Sequence, residues 1–158
     1  MDNAKKTKKM EKLRSRSDRF FLCKVATREM QEGGMEKKVI RQYAIEAADW
    51  AEAQHRTEEY LAGYGDLEIK DIKPSPYAEI FFNDDDSADM WFSVKLEFIS
   101  FNEHRNKENR TTHHYLFQAG SLDEANRIVG DAMRDTLIDY TKTEIRDSKI
   151  FEVVEFTK

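Results

Sequence analysis

Cysteine is nearly missing from this chain, and so is any long apolar run. The single cysteine, Cys23, excludes an intramolecular disulfide and suits a reducing compartment. No stretch reaches the roughly 18 apolar residues that a bilayer-spanning helix needs. Lys24 interrupts the run from Phe20 to Ala26, and no small-residue cleavage site follows, which argues against a signal peptide. These absences lead to the expectation of a cytoplasmic protein that does not enter a membrane.

The motifs of common chemistries are lacking too. There is no Gly-x-Ser-x-Gly elbow and no phosphate-binding loop, and Gly33-Gly34 reads as hairpin chemistry. The acidic run Asp84-Asp85-Asp86 with Asp89 fails as a calcium loop, because Asp89 and Lys95 stand where such a loop needs Gly and Glu. His113 and His114 are neighbours on an expected strand and point to opposite faces, while His55 falls on a helix and His104 in a loop. Cys23 occupies an inward strand position that Val94 takes further along, the mark of a small core residue. The expectation is a non-enzyme with no metal and no cofactor.

Charge and aromatics are plentiful. Charged residues make up 36% and the aromatics Phe, Trp and Tyr 11%, and the rings fall inside periodic segments, so the chain reads as folded despite its charge. Those segments occur twice. Phe20-Phe21-Leu22-Cys23-Lys24-Val25 returns as Trp91-Phe92-Ser93-Val94-Lys95-Leu96. Tyr43, Ala47, Asp49 and Glu52-Ala53 return as Tyr115, Ala119, Ser121 and Glu124-Ala125. Ser75 and Glu79-Ile80 return as Ser148 and Glu152-Val153.

Each block opens with period-two alternation (Phe21, Cys23, Val25; then Phe92, Val94, Leu96, Phe98) that predicts a strand. A turn signal and a returning strand follow, at Glu32-Gly33-Gly34 in the first block and at Asn102 to Asn109 in the second. Asp49 with Glu52, and Ser121 with Glu124, read as capping boxes that start a helix. Strands from Leu67 to Ile72 and from Tyr140 to Ile145 come next, the first ended by the chain's two prolines, Pro74 and Pro76. Short extended pieces, Tyr77 to Phe82 and Ile150 to Phe156, close the blocks.

The predicted fold is therefore α+β: a tandem duplication of a β-β-α-β(-β) unit, with a mainly antiparallel sheet and two helices packed on one face. A sheet continuous through both copies is favoured over face-to-face packing. The expected layout is a disordered basic arm (1–18), a first repeat (19–83), an acidic linker (84–90) and a second repeat (91–158), both repeats in one compact domain.

Two features point toward an anionic partner. The net charge is −5, yet the arm is rich in Lys and Arg, including Lys5, Lys6, Lys8 and Lys9. On the outward faces of the opening strands, Lys24, Trp91 and Lys95 interleave cations with aromatics, as sheets that hold single-stranded nucleic acid do. The RNP pattern of known RNA-binding sheets is absent, and Glu97 opposes the idea. The bland readings are a solubilising tail and a face buried in packing.

Ala78-Glu79-Ile80-Phe81-Phe82-Asn83, followed by Trp91-Phe92-Ser93-Val94-Lys95, resembles domain-of-unknown-function family 4494 over about residues 20–156. Tyr115, Gln118-Ala119-Gly120, Glu124-Ala125 and Asp139-Tyr140 fit the same pattern. The resemblance implies an origin in gut Bacteroidetes, their phages or mobile elements, and it carries over no activity, cofactor or catalytic residue to this chain. The functional expectation is a non-catalytic binding protein that contacts single-stranded nucleic acid through Lys5, Lys6, Lys8, Lys9, Lys24, Trp91 and Lys95. The alternatives are a homodimeric protein-interaction module and a protein that sequesters a small ligand such as a nucleotide.

Overall fold

The computed structural model describes residues 13–157. Among these residues, nine strands and two helices make an α+β fold with two mixed sheets. The strands are β1 (Leu13–Arg16), β2 (Phe20–Met30), β3 (Glu36–Glu46), β4 (Gly65–Pro74), β5 (Glu79–Asn83), β6 (Met90–Asn102), β7 (Lys107–Ala119), β8 (Asp139–Asp147) and β9 (Ile150–Val154). The helices are α1 (Trp50–Tyr60) and α2 (Leu122–Ala132). The chain divides into two compact units. Among the described residues, one is Asp18–Ser75 with 149–157, and the other is Pro76–Ser148 with 13–17.

The four-stranded unit has strand order β4-β2-β3-β9. β2 and β3 form a hairpin turned at Gly33 and Gly34, both at positive φ, the region open to glycine. β9 joins β3 in parallel. α1 starts as its capping box requires: Asp49 accepts from the Glu52 amide at 2.8 Å, and Glu52 accepts from the Ala48 amide at 3.1 Å. The helix packs on β4, β2 and β3 over a core of Phe21, Cys23, Val25, Ile45 and Ala53.

The five-stranded unit has order β1-β5-β7-β6-β8. β6 and β7 form its hairpin, β5 joins β7 in parallel, and α2 begins at Ser121, which accepts from the Glu124 amide. The core is Phe92, Val94, Leu96, Phe117 and Val129. The registers match those of the other unit. Phe21 faces Ile45 and Phe92 faces Phe117; both β2–β4 and β6–β8 carry a register shift just after a lysine, Lys24 or Lys95. Gly120 is held by close approach, since a Cβ there would sit 2.6 Å from the Ser87 carbonyl oxygen.

Three expectations change. The sheet is not continuous: there are two sheets, each with its own helix. The closing strands change sheets, because β5 follows β4 in sequence yet pairs with β7, and β9 follows β8 yet pairs with β3. Pro74 and Pro76 flank the first of these departures, and a proline offers no N–H to continue a ladder. Finally, Leu13–Arg16, expected in the disordered arm, is a strand on the edge of β5. Leu13 packs against the core, and the Arg14 guanidinium lies 4.1 Å from the Phe82 ring centre.

Candidate functional site

A helix is about 10 Å across, whereas five strands spaced about 4.8 Å apart span about 20 Å. One helix therefore cannot cover a five-stranded sheet. α2 packs on β7 and β8, and the flank made by β5 and β1 is left as a trough of about 280 Å³ between strand and helix. Its floor comes from helix-facing side chains of the two strands, Leu13, Ser15, Phe81 and Asn83. Its wall is one face of α2, where Ile128 and Ala132 are apolar and Arg127 and Asp131 are charged, continued by Asp135 in the turn that follows the helix.

At the start of α2 the trough is closed by a polar lattice. Glu124 accepts from the Asn83 amide nitrogen Nδ2 at 3.1 Å and from the Gly120 N–H at 3.3 Å. The Asn83 N–H donates to the Gln118 Oε1 at 2.9 Å, and its Oδ1 accepts from the Asp85 N–H at 3.0 Å. Asp85 in turn accepts from the Ser87 hydroxyl and N–H. This is what the acidic run does: its middle residue folds the turn between β5 and β6.

Toward the other end the groups are less committed. Asp131 is paired with Arg134 at 2.7 Å. The Arg127 and Asp135 side chains make no hydrogen bond or ion pair with the described residues. Phe81 stacks on Phe117 with centroids 4.3 Å apart and planes at 6°, and lies 6.2 Å from the Tyr115 ring. Burial pushes the Tyr115 phenol up, and the Glu79 carboxylate adds to the shift. The trough thus has an aromatic floor, an aliphatic wall and an unpaired charge of each sign on its rim.

The residues singled out in the sequence do not assemble. Lys5, Lys6, Lys8 and Lys9 lie outside the described residues. Lys24 is exposed on β2, where Asp71 faces it across the β2–β4 pairing. Lys95 is half-buried on β6, facing Glu144 of β8. Each lysine therefore has a carboxylate as cross-strand neighbour, a pairing that supports the sheet. Trp91 corrects the stacking-platform expectation: it is 5% exposed, with the Phe82 ring edge-on at 5.4 Å, so its faces are not open to bases. Phe20 and Leu22, on the same outward register in β2, are also buried.

The chemistry-bearing residues hold structural places. Cys23 has no exposed surface, and burial pushes its thiol up, away from the nucleophilic thiolate. His55 contacts Glu59 one turn on in α1, and His113 packs edge-on against Phe98. Among the described residues no three His, Cys, Asp or Glu side chains converge on a point that could hold a metal ion.

The trough itself was missed by pattern reading. Apolar residues recur at helical spacing from Leu122 to Leu137, yet Ile128 and Val129 are buried while Leu122 is exposed and Leu137 lies beyond the helix, fully exposed. The signal that could have revealed the trough is a small residue, Ala132, standing where α1 has Tyr60.

A family model described as "Domain of unknown function (DUF4494)" matches residues 19–156. No curated protein and no solved structure matches the chain. β1, the outer strand of the trough floor, falls before the matched range.

Proposed function

We propose, for a chain that belongs to the DUF4494 family, a non-catalytic binding role in which the trough beside α2 holds a small planar ligand. The observation that carries this reading is the uncovered flank of the five-stranded sheet. It offers an accessible ring, Phe81, beside an aliphatic wall and the two unpaired charges of Arg127 and Asp135. Ligand sites are concave, largely apolar and furnished with a few polar groups that orient the ligand. This one has those parts at the lower end of the usual size range. The matching registers of the two units support reading the scaffold as a duplicated β-β-α-β(-β) module, with the site in the unit that gained a strand.

Single-stranded nucleic acid and a second copy of the chain are the competing occupants. NMR of the labelled full chain separates all three. Planar fragments are expected to shift Phe81, Ile128 and Ala132 saturably. Oligonucleotides that shift Lys24 and Lys95 instead, with a strong salt dependence, would favour the nucleic-acid reading. Line widths and mass that grow with protein concentration would favour self-association. A fragment set that leaves the trough signals unmoved overturns the proposal.

A further inference from the structure

The four-stranded unit already contains an occupant at the corresponding place. α1 and α2 both run eleven residues from a capping side chain, so Tyr60 and Ala132 hold the same final position. β9 lies parallel to β3 with Glu152 opposite Tyr43; β5 lies parallel to β7 with Glu79 opposite Tyr115. Between α1 and β9 the Tyr60 ring stands edge-on to Tyr43, with centroids 6.4 Å apart and planes at 65°. Its hydroxyl donates to the Glu152 carboxylate at 2.5 Å.

In the five-stranded unit the tyrosine and the glutamate are present, Phe81 of β5 lies beside the tyrosine, and the helix itself contributes no ring. Ala132 supplies only a methyl group, and it lines the trough. Glu79 is half-buried and accepts no hydrogen bond from the described residues. Burial pushes both the Tyr115 and the Tyr43 phenols up; Glu79 adds to the shift at Tyr115, while at Tyr43 Arg41 opposes it and Glu152 adds a smaller push. A half-buried carboxylate without a donor gains a charge-assisted hydrogen bond from any donor that reaches it.

We propose that the trough binds a phenol-like ring, an aromatic that carries a hydrogen-bond donor. The ring lies beside Tyr115 in the space that Ala132 leaves, and the donor rests on the Glu79 carboxylate. Tyr60 is the internal pattern for this ligand. The inference rests on the binding role proposed above and narrows it: carboxylates and phenolates are excluded by the charge of Glu79, and apolar rings lack the donor. The ring can come from a free small molecule or from a tyrosine side chain of a peptide, since both present the same chemistry.

The test uses the full chain with ¹³C-methyl and ¹⁵N labels and titrates p-cresol, toluene and a capped Gly-Tyr-Gly peptide. p-Cresol is expected to shift Ala132 and Tyr115 saturably. Toluene is expected to bind about tenfold more weakly, the equivalent of about 1.4 kcal/mol for the lost donor. Glu79→Gln should bring the two ligands close together, and Ala132→Tyr should abolish p-cresol binding by filling the space. Tyr60→Ala should create a second p-cresol site that shifts Tyr43, and this keeps the inference testable should Ala132→Tyr fold poorly. A peptide that binds tighter than p-cresol assigns the ring to a protein partner; an equal or weaker peptide assigns it to a free ligand. If other planar fragments enter the trough while toluene and p-cresol bind alike, the inference is overturned and the binding role stands. If nothing enters the trough, both fall.

Discussion

The four-stranded and five-stranded units solve the same packing problem with the same registers and finish differently at the end of the helix. In the four-stranded unit a large side chain closes the gap between helix and closing strand: Tyr60 reaches Glu152, the Arg56 guanidinium lies 4.7 Å from the Phe156 ring centre, and buried Glu46 accepts from the N–H groups of Phe156 and Thr157. In the five-stranded unit the corresponding helix end is Ala132, and the sheet is widened by β1. The first unit uses its helix to seal a four-stranded face. The second has more sheet than one helix can cover, and the surplus becomes a trough. The proposed site arises from what the scaffold leaves uncovered, without any motif of its own.

The largest test of this contrast removes the floor. Phe117 is fully buried and carries the Phe81 ring, so Phe117→Ala should cost about 3–5 kcal/mol in urea denaturation. It should also loosen the trough. Ile45→Ala, at the equivalent core place of the other unit, should cost about 2–5 kcal/mol and leave trough resonances unchanged.

Glycines sharpen the comparison next. A Cβ at Gly120 meets a backbone carbonyl oxygen, so Gly120→Ala should lower stability by about 1–3 kcal/mol in the same assay. Gly63, in the loop after α1, has open space around its Cβ position, and Gly63→Ala should be close to neutral. Equal effects at the two positions would remove the case for a close contact at the mouth of the trough.

The capping residues should behave alike. Asp49→Ala and Ser121→Ala each remove one side-chain acceptor from a helix start, and each should cost about 1 kcal/mol. A marked inequality, measured by thermal melting of the two variants side by side, would show that one helix depends on its cap more than the shared geometry implies.

The smallest effect is a pH dependence. Burial pushes the Tyr60 phenol up, and the Glu152 carboxylate that accepts its hydrogen bond pushes it further. A phenol whose folded pKa lies above its unfolded value of about 10 contributes stability that is complete below that value and is lost as pH climbs toward the folded one. Urea stability should therefore decline above about pH 10. Tyr60→Phe should flatten part of that decline, with the remainder coming from Tyr43 and Tyr115, which are shifted the same way. An unchanged slope in Tyr60→Phe would mean that the bond to Glu152 does not persist in solution.

Much of the fold was legible because local signals coincided. Period-two alternation located β2 and β6, the turn signals after them located the returning strands β3 and β7, and the two capping boxes located both helix starts. The destination of β5 and β9 was not legible. Glu79–Asn83 and Ile150–Val154 are five-residue apolar strands, and alternation says which residues share a face without saying which strand lies alongside. Trp91 misled for a related reason: interleaved Lys and aromatic residues describe a sheet face equally well whether that face is open or buried. The trough left almost no trace in the pattern, because it depends on Ala132 being small, and a small residue on an apolar stripe is indistinguishable from core.

By itself, the order of residues determined the elements of this protein, the order in which they follow, and the absence of the familiar catalytic motifs, since each of those rests on neighbours within a few positions along the chain. Only the tertiary structure decided that β5 and β9 each join the sheet opened by the other block, that Leu13–Arg16 extends one sheet, and that Glu79 stands opposite Tyr115 while Ala132 lines the trough. Those outcomes depend on how much sheet one helix can cover and on which distant backbone groups find each other, and both are set by packing in three dimensions.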